Sequence, residues 1–304
     1  LEKINLLFIT KNRSNHLERS TWYLAEELSK RTNLVTWSAN GSIHDILANI
    51  PFSPDFILIN DYHPEYSPRI YGLHSVSIPK GMIMHEIHYK KFHRKKFIEN
   101  ENIQLVFTHY RDAFLKWYPE LAARMVWFPH FIHPEIFKDY GAPKTINYLM
   151  IGAAFPHLYP VRNNFMQQLI KEPGFVSYHH PGYGLVTTSS GMQGVNYAME
   201  INRAKMFFTC DSNYGYPVLK YFEVLACNTL LIASASKELA DLGFVDGVTY
   251  IAADPSDVIE KARYYNSNET IRKKIAYQGH QMVMNFHTIE VRVGELLQKI
   301  KAII

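Results

Sequence analysis

The chain of 304 residues is 47% hydrophobic and 20% charged, enough to bury one large core or two of ordinary size, which excludes intrinsic disorder. Lysine and arginine number 32 against 28 acidic residues, and a formal charge of +4 gives no electrostatic case for a nucleic-acid binder. Cys210 and Cys227 are the only cysteines, which excludes a disulfide framework or a cysteine zinc cluster and fits a reducing compartment.

Short apolar runs alternate with helical-period segments from end to end, so the expected fold class is α/β, parallel sheets covered by helices. In the first half, strands are expected at 4–10 (INLLFIT), 34–37, 55–60 (DFILIN), 81–85, 105–109 and 125–129. His16–Lys30 is expected as an amphipathic helix, with Leu17, Trp22, Leu24, Ala25 and Leu28 on one face and Glu18, Arg19, Glu26 and Glu27 mostly elsewhere. The stretch HPEIFKDYGAPKT has two prolines, a glycine and no period, and reads as an exposed connection. A second series of strands then follows at 146–152, 175–180, 206–210, 229–234 and 248–253. The tail from Glu269 is helical with a break near Asn285–Thr288, and its last piece carries an apolar stripe of Val291, Val293, Leu296, Leu297 and Ile300. The organisation expected is two doubly wound Rossmann-like domains, 1–137 and 138–285, with a terminal helix over 286–304 packing back on the core. The longest apolar runs are strand-length and no basic-then-apolar leader opens the sequence, so a cytoplasmic location is expected.

Parallel sheets bind ligands at the carboxyl ends of their strands, and two such sheets would face a cleft. The loops TKNRSNH after the first strand and GAAFP after Gly152 lack the G-x-G-x-x-G of dinucleotide sites, and no Walker loop is present. No D-x-D pair offers to hold a divalent ion against a diphosphate, so metal-independent chemistry is expected. In residues 202–239 a strand leads into a polar, glycine-containing loop, with a helix expected from about Pro217. The loop Asp211–Tyr216 and the helix N-terminus would present N–H groups to a phosphate or diphosphate. Lys220 and Glu223 share a helix face. Lys220 would hold phosphate charge, and Glu223 would accept both hydroxyls of a ribose. An ordinary helix with a solvated Lys–Glu pair is the competing reading.

The order of polar loop, Tyr216-Pro217, a basic residue, Phe222-Glu223, then LACNTLLI and a short loop before a glutamate resembles the nucleotide-sugar-dependent glycosyltransferases of the GT-B class. Within that class it is most similar to the group-1-like transferases that include spore-coat maturation proteins. The similarity extends through IGAAFPHLYPVR and HTIEVRVGELL, whereas the first half matches in layout alone. The resemblance implies two Rossmann-like domains facing a central cleft and a nucleotide-diphosphate sugar, UDP-sugar favoured, as donor substrate without a permanently bound cofactor. It implies transfer to a glycan, a lipid-linked acceptor or another hydroxyl. Carried over residue by residue, it makes Glu223 the ribose carboxylate, and Asn213, Tyr214, Gly215, Tyr216 and Pro217 with Lys220 the diphosphate site. Arg162, Arg203 and Lys205 are further cations within expected reach of a diphosphate. Two positions depart from the family pattern. Retaining members carry a second glutamate eight residues before the first, where Gly215 stands here, and the glycine common after the cysteine is Asn228, which tolerates a left-handed backbone.

In the first half, MHEIHY places His85 and Glu86 at a strand end, as in several transferases, where His85 would serve as general base or position the sugar. Asp61, ending another strand, is a second candidate base, with a turn-capping role as the alternative. The run YKKFHRKKF, residues 89–97, suggests peripheral contact with an anionic membrane or a lipid-linked acceptor, against the alternative of a solvated helix face. His85, His88, His109, His130, His133, His179 and His180 show no zinc spacing, and packing or surface roles are expected of His130, His133, His179 and His180. Two other functions keep the same fold: a degenerate glycan- or nucleotide-binding scaffold, suggested by Gly215, and a sugar-nucleotide epimerase or hydrolase.

Overall fold

A computed structural model describes residues 3–178 and 192–304. The chain forms two compact units, Leu1–Pro129 with Ile289–Ile304, and His130–Thr288. The boundary differs from the expected 137/138. Ile132 donates its N–H to the His287 carbonyl at 2.9 Å and bridges Thr288, which ties residues 130–137 to the second unit.

The first unit runs β1 (Asn5–Ile9), α1 (Ser20–Arg31), β2 (Asn33–Trp37), a short β3 (Gly41–Ser42), α2 (Ile43–Asn49), β4 (Phe56–Asn60), a short β5 (Ile70–Tyr71), β6 (Lys80–Met84), α3 (Lys91–Asn100), β7 (Leu105–Thr108), α4 (Arg111–Trp117) and β8 (Met125–Trp127). Its main sheet is parallel, in the order β2-β1-β4-β6-β7-β8. β4 (FILIN) and β6 (KGMIM) are buried at every residue, as expected of central strands covered on both faces. The first helix starts at Ser20 rather than His16, and Glu27 is buried on it, paired with Lys30 at 2.9 Å and Arg31 at 2.7 Å.

The second unit runs β9 (Ile146–Ile151), α5 (Pro160–Leu169), β10 (Phe175–Tyr178), α6 (Gly194–Asn202), β11 (Ala204–Thr209), α7 (Lys220–Ala226), β12 (Leu230–Ala233), α8 (Lys237–Asp241), β13 (Ile251–Ala252), α9 (Val258–Ser267) and α10 (Glu269–Phe286). Its sheet is parallel, in the order β10-β9-β11-β12-β13. His179 and His180, expected to end β10, lie outside the described residues. One face of the sheet buries Tyr148, Met150, Met206, Phe208, Leu230 and Ile232 against Phe165 and Leu169 of α5 and Val258 and Ala262 of α9. Each such apolar side chain contributes about 1.5–3 kcal/mol on burial. The tail breaks where expected. α11 (Ile289–Lys301) buries Val293, Leu296, Leu297 and Ile300 and packs beside α1 in the first unit, with Gly294 close to Arg31.

These two sheets set where chemistry is available. Because all strands of a sheet run the same way, Gly152 after β9, Cys210-Asp211 after β11 and Ser234 after β12 come to one edge.

Candidate functional site

Gly152 follows β9 at φ +134, a backbone conformation that L side chains rarely adopt. A Cβ there would stand 2.7 Å from Cε of Lys220 and 3.6 Å from Nη1 of Arg162, so both cationic side chains lie against this turn. Lys220 opens α7 and is half-buried, with Nζ 5.9 Å from the centre of the Tyr197 ring. No protein acceptor or carboxylate pairs with its ammonium among the described residues. Burial pushes the Lys220 ammonium down to about 8, with Glu223 opposing the shift and Arg162 adding to it. A half-buried cation with open donors and a second cation beside it is an unfavourable arrangement unless an anion completes it.

Arg162, in the first turn of α5, is 3% exposed. Its Nη1 donates to the Ala153 carbonyl at 2.7 Å, and Nη2 donates to Thr209 Oγ1 at 2.9 Å and the Cys210 carbonyl at 3.2 Å. It therefore clamps the turn after β9 to the end of β11, and adds positive potential rather than a fork of free donors. Its guanidinium stacks 4.0 Å from the Tyr159 ring centre, and Nε is buried without a partner.

Glu223 sits one turn into α7 and is 7% exposed. The Tyr197 hydroxyl, from α6, donates to its Oε2 at 3.3 Å, and burial with the neighbouring carboxylate pushes that phenol well up. Tyr197 thus touches both residues singled out from the sequence. It was missed because the nine-residue α6 lies more than twenty residues away in sequence, and nothing in its composition points at α7.

The loop before α7 differs from expectation. Most of its amides are already engaged: Asn213 N–H donates to the Leu158 carbonyl at 2.8 Å, Gly215 N–H to the Ser212 carbonyl at 2.9 Å, and Tyr214 N–H to Ser212 Oγ at 3.3 Å. Asn213 Nδ2 holds the His157 carbonyl at 2.6 Å. Regular helix begins at Lys220 rather than Pro217, and among the described residues the N–H groups of Val218, Leu219 and Lys220 have no protein acceptor. Pro217 and Tyr216 are buried in the approach to the helix. Gly215 has φ +72 with open space around its Cβ position, so backbone conformation rather than crowding favours glycine there. Asn228 closes α7 in the left-handed conformation at φ 50, as its tolerance for that region suggested. Asp211, beside the loop, is held by burial at a raised pKa of about 6, tempered by hydrogen bonds from Tyr221 and Ser236, and its Oδ1 is buried.

Lys205 does not join this group. It stands near the amino end of β11, where its charge acts on Glu269, about four strand residues from Thr209 and hence about 13 Å away along the strand. Arg203 pairs with Glu200 at 2.9 Å.

Residues 162–298 match the family described as glycosyl transferase-like. The matched segment contains Arg162, Tyr197, Lys220 and Glu223 and the second unit from α5 onward. No curated protein matches the chain by sequence. Among solved structures the chain is similar to a glycosyltransferase from Rickettsia africae, with a TM-score of 0.62 at 11% identity, covering 99% of both chains. It is similar to HepE of Anabaena in complex with UDP-glucose, with a TM-score of 0.62 at 10% identity over 99% of this chain and 100% of that one. Sucrose-phosphate synthase from Thermosynechococcus elongatus gives 0.60 at 11% identity over 98% and 99% of the two chains. These likenesses establish a GT-B fold of two Rossmann-like domains.

In the first unit Asp61 and His85 both have protein partners. Asp61 is 1% exposed with φ 72; its Oδ1 lies 2.7 Å from Nη2 of the fully buried Arg94 and accepts the His63 N–H at 3.1 Å. Its Oδ2 accepts the His85 N–H at 2.8 Å. Asp61 is thus held in a buried ion pair with Arg94 and accepts the backbone N–H groups of His63 and His85. The Asn60 amide nitrogen donates to Thr10 and Thr21, so its Oδ1 faces His85 Nε2, which donates to it at 2.7 Å. His85 Nδ1 stands 3.3 Å from His109 Nε2, and the ring stacks on Tyr66 with centres 4.3 Å apart. Burial pushes His109 down to about 4, while its Nδ1 donates to the Phe128 carbonyl at 2.7 Å. His85 thus lies in a polar network with Asn60 and His109. Glu86, the next residue, is exposed, and among the described residues its carboxylate carries no hydrogen bond or ion pair; burial of part of its surface raises its pKa.

The basic run 89–97 is only partly a surface. Arg94 is buried on Asp61 and Lys95 pairs with Glu120, whereas Lys91, His93 and Lys96 are exposed beside Phe92, itself 62% exposed. No helix among the described residues is long and apolar enough to cross a membrane.

Proposed function

We propose that the protein is a glycosyltransferase that moves a sugar from a nucleotide-diphosphate donor, a UDP-sugar by preference, to a hydroxyl acceptor on a glycan or lipid-linked molecule. The observation that carries this reading is the Lys220 ammonium, unpaired and half-buried over Gly152, with the open amides of residues 218–220 beside it and Glu223 one turn further on. The diphosphate accepts hydrogen bonds from Lys220 and these amides. Glu223 accepts from the ribose hydroxyls, and Tyr197 holds its carboxylate in place. The donors are fixed before the reaction, so charge developing on the leaving diphosphate is met without reorganisation. Lys220, reinforced by the field of Arg162, supplies positive charge that other transferases draw from a divalent ion, which supports metal-independent transfer. HepE was solved with UDP-glucose, which supports the choice of uridine.

The acceptor belongs to the first unit. Glu86 replaces His85 and Asp61 as the candidate base, because its carboxylate is free and its raised pKa suits proton uptake from a hydroxyl. The exposed Lys91, Phe92 and Lys96 suit an anionic or lipid-linked acceptor. The test is calorimetric titration of UDP, GDP, ADP and TDP into the wild type and Glu223→Ala; equal affinities in the two proteins would defeat the ribose assignment. A second reading, a nucleotide-binding module without transfer, is favoured by Gly215 and by the occupied Asp61 and His85. Release of UDP from UDP-glucose only when an acceptor glycan is added, and its loss in Glu86→Gln, separates the two.

A further inference from the structure

The amino ends of β6, β7 and β8 lie at the edge of the first sheet opposite to Asp61 and His85, and border an open pocket of about 650 Å³. Its wall includes His74, Ser77, Lys80, Gln104 and Arg124. Lys80 is 1% exposed, and among the described residues no carboxylate pairs with it. Its Nζ donates to the carbonyls of Val76 at 3.0 Å and Ile78 at 3.1 Å, which leaves a third N–H. Arg124 donates from Nη1 to the carbonyls of Ile98 at 3.4 Å and Ile103 at 3.0 Å, while Nη2 and Nε have no protein acceptor among the described residues. Gln104 uses Oε1 to accept the Lys80 N–H at 2.7 Å, so its side-chain amide nitrogen is a further open donor. The nearest carboxylate, Glu101, is engaged by His74, through the backbone N–H at 2.8 Å and Nδ1 at 3.3 Å. Burial pushes the Lys80 ammonium down, with Glu101 opposing.

We propose that this pocket binds a small phosphate monoester, with the phosphate held by Lys80, Arg124 and the Gln104 amide. The dianion matches two cations that have no carboxylate partner, and the planar Arg124 fork matches phosphate oxygens. Ligands of open parallel sheets ordinarily bind at the carboxyl ends of the strands, so a site at the amino ends is separate from any donor site. The inference does not depend on the transferase reading.

The experiment is calorimetric titration of the full chain with glucose 6-phosphate, with glucose and acetate as controls. Saturable binding of glucose 6-phosphate is expected at up to millimolar concentration, with Arg124→Gln and Lys80→Met each weakening it by about tenfold or more, the loss of one charge-assisted hydrogen bond. Lys220→Met should leave it unchanged. Arg124 is half-buried, so its variant keeps the test open if Lys80→Met fails to fold. No saturable binding, loss in Lys220→Met with retention in Arg124→Gln, or equal affinity for acetate would each overturn the proposal.

Discussion

At the carboxyl edge of the first sheet Asp61 has both oxygens engaged, by Arg94 and by the amides of His63 and His85, and His85 directs both ring nitrogens at Asn60 and His109. At the equivalent edge of the second sheet, among the described residues, Lys220 has no acceptor, and three amides that open α7 have none. The two edges look alike in sequence: each is an apolar strand followed by charged and aromatic residues. They differ in saturation. A polar group whose bonds are complete within the fold stabilises the loops around it, whereas one left open is held ready for a ligand.

The comparison breaks most visibly if Asp61 proves dispensable. Removing one partner of a buried ion pair strands the other, so Asp61→Ala is expected to lower stability by about 3–5 kcal/mol, read from the midpoint of urea denaturation. A change within experimental error would mean the Arg94 charge has another anchor. On the other edge Lys220→Met is expected to weaken UDP binding by about 10–100-fold with little change in melting temperature, since it removes a charge-assisted contact and relieves an unpaired cation. A large fall in melting temperature with unchanged affinity would reverse the roles assigned to the two edges.

Titration sharpens the same contrast. A diphosphate prefers the ammonium form of Lys220, so UDP affinity should be full below about pH 8 and fall by up to about tenfold per unit above it. Lys220→Arg, which stays charged, should flatten that decline in a calorimetric pH series. Asp211 has its pKa raised from 3.8 to about 6, so the folded state favours its proton. Its cost is absent below the unfolded value, grows between about pH 4 and 6, and is complete above that. Asp211→Asn is accordingly expected to raise stability by up to about 3 kcal/mol near neutral pH and by nothing near pH 4, read as melting temperature. The smallest effect belongs to Tyr197→Phe, which deletes one hydroxyl and should weaken UDP binding by about three- to tenfold. Tighter binding would show that Tyr197 caps Glu223 rather than orienting it.

Much of this was legible in the residues. Uninterrupted runs such as FILIN and TLLIAS locate strands covered on both faces, and the break near Asn285–Thr288 was visible as a loss of period. Lys220 and Glu223 were legible because a helix brings residues three apart onto one face. The fate of the charges was not. Arg94 sits within a run of basic residues that reads as a solvated face, yet it is fully buried on Asp61, thirty-three positions away. Lys205 and Arg162 look equally available in sequence, and only strand direction puts one at the wrong end of β11 and the other beside Gly152.

Local order therefore determined the elements, their alternation and the two parallel sheets, because hydrophobic period and turn chemistry act between near neighbours. Which polar atoms are satisfied was decided only by tertiary structure, because hydrogen bonds and ion pairs join residues that the chain keeps far apart, as Tyr197 joins Glu223 and as His85 joins Asn60. The candidate site is what that pairing left incomplete.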